Sequence, residues 1–156
     1  MTVMRHHTKN LLSVIIAARN EERYIGACLD SILQQDTEAG NVEVIVMANA
    51  CTDDTVGAAL SMRPGFDARG WTLHVMEEAT PGKMHALNSG DRAAKGDVLD
   101  DLDADVIGDT DMFAALRTSL TSDAPLYATG VLQVAEAQSC VIRQSGNNRQ
   151  TLHYVR

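Results

Sequence analysis

The sequence predicts an α/β protein with an open, mostly parallel sheet flanked by helices, and three observations carry that reading. Leu11–Ala18 and Val42–Met47 are nearly continuous apolar, β-branched runs, as expected of strands covered on both faces. Each is followed by an apolar pattern of helical period, so the strand-helix unit repeats. A dense carboxylate run, LDDLDADVIGD at positions 99–109, closes a later strand, and open α/β sheets bind ligands at that end.

Taken in order, Leu11–Ala18 forms the first strand. Asn20 is expected to cap the next helix, with Glu21 and Glu22 favourable at its positive end and Ile25, Cys28, Leu29, Ile32 and Leu33 along its apolar stripe. After the second strand, Thr52 with Asp53 and Asp54 supplies a cap for a short helix carrying Val56, Ala59 and Leu60. Arg63 to Gly70, containing Pro64 and Gly65, reads as a loop. Trp71, Leu73 and Val75 alternate with Thr72 and His74 as a half-buried strand. A third helix runs from near Lys83 to Ala94, and Asp97–Leu102 leads into the acidic run. Asp109 or Asp111 caps a helix that turns Met112, Phe113, Leu116 and Leu120 inward, and Leu126–Val134 reads as one more strand.

Length and composition limit the functional classes. The 156 residues suit a single domain spanning 1–156, large enough to bury roughly 68–70% of its unfolded surface. Thirteen Lys and Arg against 21 Asp and Glu give a net charge of −8, which argues against nucleic acid and against an anionic membrane patch. Cys28, Cys51 and Cys140 are widely spaced with no CxxC, excluding a disulfide framework and a zinc ribbon and fitting a reducing cytoplasm. No run of about 18 apolar residues predicts a transmembrane segment, and MTVMRHHTKN lacks a signal-peptide core. Neither GxGxxG nor GxxxxGK[ST] occurs, which disfavours a Rossmann dehydrogenase and a P-loop NTPase.

Within the acidic run, Asp103-Ala104-Asp105 carries the chemistry. If the chain is extended there, both carboxylates face one side and Ala104 the other. Crowded carboxylates repel one another unless a cation sits among them, and oxygen ligands suit Mg2+ or Mn2+, which complete their shell with water and substrate phosphates. An EF-hand starting at Asp101 fails, because Val106 stands where Gly is needed and Met112 where Glu is needed. Asp103-Ala104-Asp105-Val106 also matches a haloacid-dehalogenase-like nucleophile motif, which normally follows a domain's first strand, whereas here it lies two-thirds along the chain. A solvated acidic loop remains the bland alternative.

Four segments in register, SVIIAARNEERYIGACLDSIL, VEVIVMANACTDDT, PGKMHALNSGDRAAKGDVL and LDADV, resemble the nucleotide-sugar-binding half of a family 2 glycosyltransferase of the GT-A fold. The resemblance covers roughly Leu11 to Leu120. It implies a nucleoside-diphosphate sugar as donor, a divalent metal at Asp103 and Asp105, and inverting transfer to a sugar or lipid-linked acceptor hydroxyl. By the same resemblance Ala17, Arg19 and Glu21 lie beside the nucleoside, Asn49 hydrogen-bonds the base, and Lys83 approaches the base or the diphosphate. Asp103 is directed at the ribose or the metal.

Other roles compete for these residues. Glu21 serves equally as a helix-start acid, Asn49 as a turn residue and Lys83 as a solvated surface lysine. Asp53 is expected to cap a helix and stands outside the site, as do His85 and Cys51. The resemblance places the protein in the cytoplasm, at the inner membrane face where the acceptor is lipid-linked.

Two departures qualify the match. Thr121–Arg156 contain neither the family's later acidic motif nor its QxxRW-like segment, so the catalytic base is expected outside this chain, with the acceptor half. Asp100 and Asp101 stand where the family has apolar strand residues, which calls for pairing, protonation or a frayed strand end. A non-catalytic nucleotide-sugar-binding module is the runner-up. A nucleotidyltransferase is disfavoured because AARNEE replaces a Gly-rich loop after the first strand.

Overall fold

A computed structural model of the protein describes residues 8–120. Four strands, β1 (Thr8–Ala18), β2 (Asn41–Asn49), β3 (Thr72–Glu78) and β4 (Gly96–Asp103), form one parallel sheet in the order β3-β2-β1-β4. Helices α1 (Ile25–Leu33), α2 (Thr55–Leu60), α3 (Arg63–Arg69), α4 (Lys83–Ala93) and α5 (Met112–Ser119) provide the connections and flanks, with one 3-10 turn at Thr37–Ala39.

Both faces of β1 are covered, which is why its sequence shows no polar alternation. Leu12, Val14 and Ile16 point into the larger cluster with Ile25, Leu29, Ile32, Phe66 and Phe113. Ile15, on the opposite face, packs with Ile45, Met47, Ala86 and Leu99 beneath α4. The two polar residues in the apolar runs meet each other: the Ser13 hydroxyl donates to Glu43, whose carboxylate also accepts the Lys95 N–H at 2.7 Å. The Gly96 N–H donates to Ser13 Oγ at 2.8 Å, so this buried polar set ties the amino-terminal ends of three strands together.

The structure corrects three local expectations. Residues 63–69 form α3 instead of a loop. Pro64 sits in the first turn, where its missing N–H costs nothing, and Gly70 closes the helix at φ 73°, a left-handed cap that favours glycine. Phe66, fully buried, anchors that helix to the core.

Asn20 does not cap α1. Its carboxamide instead accepts the Thr52 N–H at 2.8 Å, residues 21–24 make a turn through Glu21 O, and Tyr24 occupies the cap position without a side-chain bond. Asp54, not Thr52, caps α2 by accepting the Gly57 N–H at 3.2 Å. Asp111 occupies the cap position of α5, also without a side-chain bond. The Leu126–Val134 strand lies outside the described residues.

Asp100 and Asp101 lie in register opposite Val14 and Ile15, inside the paired part of β4, which rules out a frayed end. Asp100 shares the face of Val98 and Leu102 and is buried, while Asp101 is partly exposed. Among the described residues no helix is long and apolar enough to cross a membrane.

Candidate functional site

The chain leaves β1 for β2 and β3 on one side and reaches β4 on the other, so the order reverses between β1 and β4. A crevice is expected at the carboxyl ends of strands flanking such a switch. An open cleft of about 440 Å³ lies there. Ala17, Arg19, Glu21, Asn49, Lys83, Asp103 and Asp105 all line it, so every site residue singled out from the sequence is brought into one place. Ala18, within the 17–21 loop that the resemblance sets beside the nucleoside, completes the wall with Gly82 and Ala104, which escaped the sequence reading, being residues without a functional group.

Register sets the floor, since Ala17 of β1 pairs with Asp103 of β4. β4 ends at Asp103, and the chain then turns, with the Val106 N–H donating to Asp103 O at 3.1 Å. Ala104 is buried while Asp103 and Asp105 are exposed, so the one-sided presentation expected of an extended segment survives through the turn. Below it, the Cys28 thiol donates to Asp103 O at 3.7 Å. Burial first, then the negative charges of Asp105 and Asp103, push that thiol up to about 12, so it stays protonated and unreactive.

The loops around the cleft brace one another. The Glu22 N–H donates to Asp53 Oδ2 at 3.1 Å, and Glu22 Oε2 accepts the Asp54 N–H at 3.0 Å. The Glu21 N–H donates to Thr55 Oγ1 at 2.9 Å. Asp53, expected as a cap, leaves that position to Asp54 and instead ties the loop after β2 to the loop after β1.

Asn49 plays the same part on the other side. Its amide donates to Glu78 O at 3.1 Å and Thr80 O at 2.7 Å, and its oxygen accepts the Gly82 N–H at 2.7 Å. Gly82 holds φ 135°, a conformation that side chains rarely adopt. Asn49, 2% exposed, thus fixes the entry to α4 and with it the backbone of Lys83.

Three carboxylates, Glu21, Asp103 and Asp105, face two cationic side chains, Arg19 and Lys83, along this wall. Burial, followed by Asp105, Asp53 and Asp103, raises the Glu21 carboxyl above the ordinary range, which marks the cleft as negative. Lys83 Nζ forms an ion pair with Asp103 Oδ1, both side chains remaining at least half exposed.

Among the described residues no three His, Cys, Asp or Glu side chains gather as a ready-made metal cage. Asp103 and Asp105 do present oxygen donors to the same cleft, and Asp103 already takes a cation in Lys83. That donor set fits Mg2+ or Mn2+ completing its shell from water and phosphate, and it does not fit a soft metal.

The parallel sheet and its flanking helices are those of GT-A glycosyltransferases. The chain belongs to the family described as Glycosyl transferase family 2, whose sequence profile matches residues 13–149. It is 39% identical over 98 residues to a 4,4'-diaponeurosporenoate glycosyltransferase of Staphylococcus aureus, covering 61% of this chain and 24% of that one. Among solved structures, the mannosyltransferase PcManGT of Pyrobaculum calidifontis, in complex with GDP-Man and Mn2+, superposes with a TM-score of 0.63 at 32% identity, over 72% of this chain and 32% of that chain. S. aureus TarS 1-349 in complex with UDP-GlcNAc superposes with a TM-score of 0.56 at 27% identity, over 69% of this chain and 29% of that chain. The chain thus spans between 24% and 29% of the length of the curated relatives it matches.

Proposed function

We propose that the cleft binds a nucleoside-diphosphate sugar together with Mn2+ or Mg2+ and presents it for inverting transfer to an acceptor hydroxyl. The observation that carries this reading is the convergence of Arg19, Glu21, Lys83, Asp103 and Asp105 at the switch point between β1 and β4. Support also comes from relatives of this fold that bind UDP-GlcNAc, or GDP-Man with Mn2+.

In this reading Ala17, Arg19 and Glu21 flank the nucleoside, and Asn49 holds the wall on which the base rests. Lys83 reaches the diphosphate, and Asp103 and Asp105 hold the metal. A divalent ion bound there supplies neutralisation of the charge that develops on the departing nucleoside diphosphate. The small side chains of Ala17, Ala18 and Ala104 leave the strand ends open to the ligand, while the braced loops fix the donor's orientation.

The general base that takes the acceptor's proton is assigned outside the donor cleft, and the acceptor is a sugar or a lipid-linked hydroxyl. The donor is cytoplasmic in this proposal, and a lipid-linked acceptor would bring the protein to the inner membrane face. Calorimetry with UDP and GDP, with and without Mn2+, tests the reading. Affinity for one nucleotide that rises with metal supports it, whereas no binding, or equal affinity with and without metal, overturns it. The runner-up reading is a donor-binding module without turnover. Acceptor-dependent release of nucleoside diphosphate by the purified chain would exclude it.

A further inference from the structure

The cation on Asp103 in this structure belongs to the protein. Lys83 Nζ pairs with Asp103 Oδ1, the same carboxylate assigned to the metal, on a wall where Glu21 and Asp105 add further negative charge. An ammonium and a divalent ion cannot both take that oxygen at close range without strong repulsion. The backbone at Lys83 is fixed, because Gly82 is held by Asn49, but the side chain is a four-carbon stem that remains 60% exposed. It has the reach and freedom to change partners. A diphosphate entering the cleft offers a more highly charged anion than one carboxylate.

We propose that Lys83 is a resident counter-ion for Asp103 that competes with the divalent ion and is drawn off by the nucleotide's diphosphate, so that the nucleotide itself opens the metal position. The consequence is synergy. Metal alone meets an occupied carboxylate, nucleotide alone meets a lysine already engaged, and the two together release Lys83 from Asp103 and place each charge opposite its partner. The coupling is reciprocal, as linkage requires. This inference rests on the donor-site reading above and adds to it a residue that sets the order in which ligands are favoured.

Mn2+ binding to the full chain, followed by the electron paramagnetic resonance signal of free Mn2+ at low ionic strength, decides it without any assay of turnover. Lys83→Met should tighten Mn2+ binding in the absence of nucleotide by about two- to fivefold, the equilibrium worth of a half-exposed ion pair. The same variant should show an enhancement of Mn2+ affinity by UDP or GDP smaller than wild type's by at least about that factor, the remainder coming from direct coordination of the ion by phosphate. Arg19→Met is the control, because Arg19 carries the same charge on the same wall and makes no ion pair among the described residues. It should raise Mn2+ affinity less.

An unchanged or weaker affinity in Lys83→Met, or an equal rise in both variants, would overturn the exchange. Circular dichroism of Lys83→Met confirms that a folded variant is being read. A second measurement uses Asp103→Asn with a chelator present: freeing Lys83 should strengthen metal-free UDP or GDP binding, and a weakened or unchanged affinity would count against the exchange. Failure of the donor-site reading looks different, since the wild-type chain would then bind no Mn2+ even with nucleotide present.

Discussion

Asn49→Ala tests whether this residue braces the cleft or reads the nucleotide. The side chain is 2% exposed and makes three hydrogen bonds, two donated to the carbonyls of Glu78 and Thr80 and one accepted from the Gly82 N–H. Each such bond contributes about 0.5–1.5 kcal/mol net, and truncation also leaves the Gly82 N–H without its acceptor. The Glu78–Gly82 loop borders solvent, so its freed carbonyls regain water and the lower part of the range applies. The expected loss is about 2 kcal/mol, or a melting temperature lower by about 4–8 °C for a chain of this size.

The functional loss should accompany the structural one, because Lys83 follows directly on the released segment. Urea unfolding gives the stability, and calorimetry with UDP and GDP in the presence of Mn2+ gives the affinity. Bracing predicts that both fall together, and that Asn49→Asp, which keeps the acceptor but loses both donors, falls on both counts as well. A variant that loses nucleotide affinity while its stability stays within about 0.5 kcal/mol would refute the reasoning and return Asn49 to direct contact with the base.

Three further outcomes are expected. Asp105→Ala, at an exposed position, should leave the unfolding transition in place and abolish the metal-dependent part of nucleotide binding, checked by calorimetry with and without Mn2+. Glu21, whose carboxyl is raised by burial and by its acidic neighbours, binds its proton more tightly folded than unfolded, so the folded chain loses stability as pH rises above about 4.5. Glu21→Gln should therefore melt higher than wild type at pH 7 and equally at pH 3. Glu78 has the opposite sign, being lowered to about 2 by the Ser89 hydroxyl and the Thr80 N–H, so its contribution is present above about pH 4.5 and fades as pH falls toward 2. Ser89→Ala should destabilise the chain at pH 7 and converge on wild type near pH 2 in thermal melts.

What the sequence disclosed follows from which signals are local. β1 and β2 were legible because both faces are buried, leaving runs of Val, Ile and Leu with few polar interruptions. Asp103 and Asp105 were legible because carboxylates crowded at the end of a strand stand out, and Asp103 does close β4, whereas Glu21 was reached only through the family resemblance. α3 was not, since Pro64, Gly65 and Gly70 were read as breakers, whereas Pro64 opens the helix and Gly70 terminates it. The buried Phe66 between them was the available signal.

The braces of the loops were beyond any local reading. Asn20 to Thr52, Glu22 to Asp53 and Glu21 to Thr55 join positions 31 to 34 apart, and nothing in the neighbourhood of Asn20 tells a cap from a long-range acceptor.

These braces explain how a wall carrying three carboxylates stays in shape. Mutual repulsion of Glu21, Asp103 and Asp105 would open the cleft if its loops were held only by their own turns. Their backbones are instead tied across the strand ends, by Asp53 and Thr55 on one side and by Asn49 on the other, so the repulsion is borne by hydrogen bonds that do not involve the three charged groups. Register does the same for the floor, where Asp103 is fixed by β4 pairing with Ala17. With the backbone committed in this way, the remaining freedom lies in long side chains, and among the cleft's cations only Lys83 is already engaged with an acid on that wall. Under the proposed exchange, a change of ligand state is met by movement of one ammonium group and not by rearrangement of the loops. On the proposed reading, the cleft takes a highly charged ligand at the cost of breaking a single exposed ion pair.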